Sequence, residues 1–314
     1  MTPEQRALCR RVLSVHSKSF ALAAKLLPPD CQDDAAVVYA WCRHADDSVD
    51  LAAAGKPEAA LRQLRDGLDE VYSESPPADP VLGAFREVAR RRAIPRDYPE
   101  ELLSGMEMDA AGTDYDSMDR LLLYCFRVAG TVGLMMCHVL GVDDPIATRH
   151  AAHLGMAMQL TNICRDVVED WNRERLYIPD TVLQEHGGGD LRSKLGAPLP
   201  ATASGALAGS VRHLLGVADQ FYRSGDQGLP LLGWRSAFAV RTARLVYSRI
   251  GQQLERRGCD VFSGRAYVPR RAKLRLVLRA LVLAAAEAPA RQQRPFVRIP
   301  LCNVVRYPTD VLPV

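Results

Sequence analysis

Apolar residues recur at three- and four-residue intervals through most of the chain, whereas strand-like alternation is nearly absent before the last twenty residues. This period predicts an all-α protein, with helices over about 3–18, 32–53, 57–73, 79–93, 98–111, 117–141, 146–171, 202–224, 233–257 and 269–286. Breaker clusters separate them: Pro28-Pro29, the SESPPADP stretch at 73–80, Gly141, the run Gly187-Gly188-Gly189, and Ala197-Pro198-Leu199-Pro200. None is long enough to link domains, and no repeat of solenoid period occurs. The pattern therefore predicts one helical domain over residues 1–287 and a Pro- and Arg-rich tail, 288–314, that is not a separate domain.

Composition narrows this picture only a little. A chain of 314 residues with 48% hydrophobic content can bury one large core. No run of eighteen apolar residues occurs, and the richest stretch, Leu276 to Ala286, is interrupted by Arg279, so a membrane span is not expected. The N-terminus is polar where a signal peptide would be apolar, which points to a cytoplasmic protein. Eight scattered cysteines with no C-x-x-C pair read as buried free thiols. The net charge of +3 is spread along the chain and leaves no footprint for nucleic acid. Basic residues are overwhelmingly Arg, which reflects either codon bias or a need for bidentate phosphate contacts.

Two acidic segments change the picture more. In Tyr39-Ala-Trp-Cys-Arg43-His-Ala-Asp46-Asp47-Ser-Val-Asp50, helical spacing places Asp46 and Asp50 one turn apart on one face, with Tyr39 and Arg43 continuing the stripe. In Gln159-Leu-Thr-Asn162-Ile-Cys-Arg165-Asp166-Val-Val-Glu169-Asp170 the geometry repeats with Asp166 and Asp170, and Asn162 lies one turn earlier. Like charges at this spacing destabilise a helix by roughly 0.2–0.5 kcal/mol. A single such pair most often marks a solvated face, but two pairs set against Val49, Ile163 and Val167, each with a nearby Arg, suggest bound cations. Two facing carboxylate pairs could supply several magnesium ions with oxygen ligands, and bridged diphosphate is a better leaving group. Arg173 and Arg175 downstream could take the departing diphosphate in bidentate fashion.

These segments, with His16-Ser-Lys-Ser-Phe20, Gly105-Met-Glu-Met-Asp109, Tyr124-Cys-Phe-Arg-Val-Ala-Gly130-Thr-Val-Gly133 and Tyr247-Ser-Arg-Ile-Gly251, give the chain a resemblance to the squalene/phytoene synthase family over roughly residues 10–285, its phytoene-forming branch in particular. The resemblance implies an all-α isoprenoid synthase fold, a helical bundle around a central cavity with the two acidic segments facing across it. It implies that one prenyl diphosphate ionises and alkylates a second. The resulting cyclopropylcarbinyl diphosphate then ionises again, and phytoene-forming members finish by proton loss without NADPH. It implies magnesium, with manganese as an alternative, on Asp46, Asp50, Asp166, Asp170 and Asn162, supported by Gln159. Ser17, Lys18, Ser19, Phe20, Tyr39, Arg43, Arg165 and Tyr247 resemble positions lining the diphosphate and prenyl sites, and Tyr124 resembles a tyrosine near the reacting carbons.

Several residues carry two readings. Phe20, Tyr39 and Tyr124 suit a core as well as a substrate contact. Gly130 and Gly133 inside a helical pattern imply that something packs closely, either a prenyl chain or another helix. Many members have Arg-Gly-Arg where this chain has Arg173-Glu174-Arg175, so Glu174 either points outward or perturbs the phosphate-binding turn. Ala24 and Ala36 align with positions that carry bulky aromatics in thirty-carbon relatives. Their small size favours condensation of two geranylgeranyl diphosphates to forty-carbon phytoene, unless they merely pack helices. The alternatives are a thirty-carbon synthase using farnesyl diphosphate and a non-catalytic prenyl-diphosphate-binding homologue. Substrates this apolar also imply peripheral membrane contact through the cavity mouth, at the inner face of the membrane, and a downstream desaturase as a partner.

Overall fold

The computed structural model describes residues 1–51, 57–142 and 144–291. Its α-helices are α1 (Pro3–His16), α2 (Lys18–Ala24), α3 (Pro29–Asp50), α4 (Pro57–Tyr72), α5 (Pro80–Arg92), α6 (Asp97–Ala110), α7 (Met118–Cys125), α8 (Thr131–Leu140), α9 (Pro145–Trp171), α10 (Asp180–Glu185), α11 (Ser204–Gly228), α12 (Trp234–Arg256) and α13 (Arg270–Arg291). No strand occurs among the described residues, and the β-branched tail at 292–314 lies outside them.

Local chemistry sets the starts. Thr2 and Gln5 form a reciprocal capping box on α1, Asp79 caps α5 ahead of Pro80, and Asp144 caps α9 ahead of Pro145. The continuous helix expected over 3–18 is two helices, because Ser17 is extended and its hydroxyl accepts from the Phe20 amide to start α2. The six-residue α10 is too short for a periodic signal. Helix α13 runs to Arg291, past the expected boundary at 287.

Trp41, Phe85, Trp171 and Phe221 anchor a main apolar core that reaches from Cys9 in α1 to Val268 before α13. Helices α7 and α8 are joined by a π turn, Phe126–Gly130, into one segment, Met118–Leu140. That segment is long and apolar enough to cross a membrane, but 56% of its most apolar window is buried within the fold, as in a core helix. A Cβ on Gly133 would lie 2.3 Å from the Ala151 carbonyl oxygen of α9, and one on Gly155 would lie 2.2 Å from that of Ala129. Backbone against backbone, two helices fill the space that Gly133 leaves, which favours the helix-packing reading.

Candidate active site

Helices α3 and α9 each carry a stripe that is acidic at one end and lines a cavity at the other. From α3, Asp46 and Asp50 form the acidic end, while Ala35, Val38, Tyr39 and Cys42 line the cavity. From α9, Asp166 and Asp170 sit beyond Asn162 and Gln159, which line the cavity with Met158, Leu154 and Ala147. The cavity encloses about 330 Å³. Its α9 lining runs from Ala147 to Asn162, about 22 Å at 1.5 Å per residue.

The two acidic ends face each other, because the turn after α9 reaches across to α3. Asp50 accepts from Arg175 at 2.9 Å and from Arg173 at 3.4 Å. That turn is built by the Arg175 amide bonding to the Asp170 carbonyl and the Glu174 amide to that of Trp171, which places Glu174 in the left-handed region at φ 58°. This is the Schellman arrangement, whose left-handed position favours glycine. The geometry accounts for the Gly of the resembling proteins. Here the Glu174 side chain is exposed, so it points outward as one of the two readings had it.

The carboxylates are unevenly compensated. Arg43 bonds Asp46 at 3.0 Å and also bonds Asp47. Burial, then the charge of Asp50, raises the Asp46 carboxyl above its ordinary value despite Arg43. Burial, then the charge of Asp166, pushes Asp170 up to about 7, against the pull of Arg175 and Arg173. Burial raises Asp166 as well, but Arg165 and Arg265 outweigh it and hold that carboxyl low. Arg265 donates to Asp166 at 2.9 and 3.2 Å and lies 3.2 Å from Glu169. Sequence reasoning missed it, since it sits in the irregular segment before α13.

The role of a fifth aspartate, which ends the Gly105–Asp109 segment, was also missed. Asp109 of α6 accepts from the Tyr124 and Tyr177 hydroxyls, each at 2.8 Å. Burial pushes it up to about 6 against those two hydrogen bonds, and its field reaches Asp170 and Arg175. Tyr115, Tyr124 and Tyr177 pack ring against ring at centroid distances of 5.1–5.5 Å. Tyr124 is buried and is not among the cavity-lining residues.

The remaining residues expected from sequence divide. Phe20 and Tyr39 line the cavity, and Phe20 stacks on Tyr247 at 4.9 Å. Ser17 caps α2 and hydrogen-bonds Tyr247, while Ser19 accepts from Lys273 at 3.0 Å, near Lys18. Ala24 lines the cavity. Ala36 is fully buried and is not among the lining residues, so it packs helices; its neighbour Ala35 lines the cavity instead.

Oxygen-rich side chains on two opposed faces suit a hard divalent cation. The Asn162 Oδ1, buried with no hydrogen-bond partner, supplies an independent test of that fit, since an orphaned acceptor beside paired carboxylates is what a cation would satisfy. The only other cluster with metal-ligand chemistry found among the described residues, Glu185, His186 and His213, contains none of these residues.

The chain is similar to known proteins over most of its length. A 15-cis-phytoene synthase of Paracoccus sp. (strain N81106 / MBIC 01143) is 38% identical over 269 residues, covering 83% of this chain and 86% of that protein. The 15-cis-phytoene synthase of Pantoea ananas is 37% identical over 277 residues, covering 85% and 88%. A solved structure of a dehydrosqualene synthase in complex with ligand superposes with a TM-score of 0.81 at 28% identity, covering 90% of this chain and 97% of the other. Residues 13–272 match squalene/phytoene synthase, and the chain belongs to that family, with its isoprenoid synthase fold.

Proposed function

We propose that this protein is a prenyltransferase that joins two geranylgeranyl diphosphates head to head into phytoene, releasing two diphosphates and two protons, in carotenoid biosynthesis. The observation that carries this reading is an apolar cavity beside two aspartate pairs, with arginines from the turn after Asp170 reaching Asp50. Asp46, Asp50, Asp166, Asp170 and Asn162 would hold divalent cations, magnesium or manganese, whose chemistry is to neutralise diphosphate and assist its departure. Arg173 and Arg175, now on Asp50, can turn to the departing diphosphate, and Arg43 and Arg165, on Asp46 and Asp166, lie on the same rim. Phe20, Tyr39 and the small side chains below them hold the apolar tail and exclude water. Asp109 fixes the hydroxyls of Tyr124 and Tyr177, whose rings pack against each other.

The test is incubation of purified protein with geranylgeranyl diphosphate and magnesium, followed by extraction and mass measurement of the hydrocarbon. A forty-carbon product is expected without NADPH. The solved dehydrosqualene synthase favours a second reading, a thirty-carbon product from farnesyl diphosphate. A parallel incubation with that substrate, with and without NADPH, separates the two, and metal-independent binding without diphosphate release would refute both.

The reading extends to the membrane. Helix α13 turns Leu274, Leu278, Leu281 and Val282 to solvent at 62, 55, 43 and 68% exposure, flanked by exposed Arg270, Arg271, Arg275 and Arg279. An apolar face rimmed with guanidiniums is complementary to an anionic lipid surface. Lys273 of this helix bonds Ser19, next to the cavity-lining Phe20, so a docked α13 places the cavity beside the bilayer that holds substrate and a product-consuming desaturase. Vesicles containing anionic lipid are expected to float the protein; a protein left wholly in the aqueous fraction refutes the contact.

A further inference from the structure

Glu185 and His186 end α10, and His213 lies on α11. One ligand atom from each lies within 4.8 Å of the others. The Nδ1 of His213 is 3.8 Å from Glu185 Oε2, and the two imidazole rings are 6.3 Å apart between centroids. Ligand atoms around a tetrahedral ion bonded at 2.0–2.1 Å stand about 3.4 Å from one another, so small side-chain rotations close the set.

Two backbone features seat these side chains. The Gly188 amide bonds the Leu183 carbonyl at 2.7 Å and Gly187 adopts φ 81°, which ends α10 in a Schellman turn and fixes where Glu185 and His186 emerge. The His186 ring then lies against Gly209, one turn before His213 on α11. A Cβ at Gly209 would stand 2.6 Å from His186 Nδ1 and 2.7 Å from Cγ. Any other residue at 209 would push the ring away from His213. Among the described residues no such ligand group includes His16, His44 or His138, whereas these two histidines, far apart in sequence, are brought together by the packing of α10 on α11.

We propose that Glu185, His186 and His213 form a zinc site, separate from the aspartate rim. Two imidazoles and one carboxylate are a borderline-soft donor set that zinc takes with water as fourth ligand, whereas magnesium prefers oxygen alone. The ion would clip the α10 turn to α11. The loop that follows carries Arg192, which bonds Asp180 at 2.7 Å and the carbonyls of Leu176 and Ile178 at 3.0 Å each. The clip therefore steadies the segment leading from the Arg173–Arg175 turn.

The experiment titrates the full chain with Zn²⁺ by calorimetry and with Co²⁺ by visible absorption, in the presence of excess Mg²⁺. One equivalent of Zn²⁺ is expected, with Co²⁺ giving the strong visible bands of a tetrahedral centre. Affinity should fall at least tenfold in His186→Ala and in His213→Ala, while magnesium-dependent turnover is unchanged. The exposed Glu185→Gln variant gives a second reading should either histidine variant misfold. Equal zinc affinity in the parent and the folded variants, or displacement of the zinc by magnesium, overturns the proposal.

Discussion

The acidic rim and the apolar cavity beneath it are built on the same two helices, yet they cost the fold stability for opposite reasons. At the rim, native contacts are unfavourable: Asp46 and Asp170 are pushed toward protonation, and Asn162 Oδ1 is left without a partner. In the cavity, contacts are missing, because small residues such as Ala24, Ala35 and Ala239 leave space unfilled. A natural sequence keeps local conflicts mainly where function needs them. On the proposed function, cations and diphosphate would relieve the first conflict, and a prenyl chain would fill the second.

The largest effect is expected at the rim. Asp50→Ala or Asp166→Ala should lower turnover by at least about 10²–10³-fold, the scale of losing one preorganised electrostatic contact, while circular dichroism stays that of the parent. Turnover near the parent level in either variant would erase the distinction between rim and cavity. The next effect belongs to the cavity. Ala24→Phe should reduce forty-carbon product about 10–100-fold and favour the shorter substrate, since each excluded methylene forfeits about 0.8 kcal/mol of burial. By contrast, Ala36→Phe should lower thermal stability by about 1–3 kcal/mol through overpacking and leave product length alone. Product mass spectra with mixed substrates distinguish the two.

How much of this was legible in the sequence follows from the same contrast. The four aspartates and Asn162 stand at spacings of four, which a helix converts directly into a face. Arg265 is a single residue whose role comes from tertiary packing, and no local pattern marks it; Asp109 stood in the resembling Gly105–Asp109 segment, but no helical spacing assigned it a role. The cavity was half legible. Ala35 lies one turn before Tyr39 on the stripe that continues to the aspartates, so helical phase selects it over Ala36, which was aligned by resemblance alone. Ser17 could have signalled the break between α1 and α2, because a serine ahead of a helical segment is a favoured N-cap.

Protonation offers a smaller, signed test of the rim. A carboxyl raised in the folded state binds its proton more tightly than in the unfolded chain, so its contribution to stability is lost as pH rises from the ordinary carboxylate range to about 7, the value for Asp170. Metal-free protein should therefore lose stability across that window more steeply than Asp170→Asn, by at most about 1.4 kcal/mol per pH unit for one proton. Divalent cation should bind more tightly as pH climbs toward 7 and level off above it. Thermal unfolding of both proteins across the window, with and without magnesium, checks the sign. Parallel curves would mean that Asp170 is already ionised and that the rim is less frustrated than its burial implies.

The smallest effect sharpens the comparison most, because it separates conflict required by chemistry from conflict that is not. Glu174 holds a left-handed conformation that costs a non-glycine residue roughly 1–2 kcal/mol, yet its side chain is exposed and touches neither aspartate pair. Glycine takes that conformation freely, at the expense of more unfolded-state entropy, so Glu174→Gly should stabilise the protein by about 1 kcal/mol or slightly less. Because the turn is set by backbone bonds from Glu174 and Arg175, the guanidiniums of Arg173 and Arg175 should still reach Asp50. Magnesium-dependent turnover in Glu174→Gly should then stay within about twofold of the parent, since a surface change away from the site leaves its energetics nearly unaltered. A gain in melting temperature with unchanged turnover would identify this strain as incidental. A turnover change well beyond twofold would instead assign the Glu174 carboxylate a part in tuning the turn that faces the departing diphosphate.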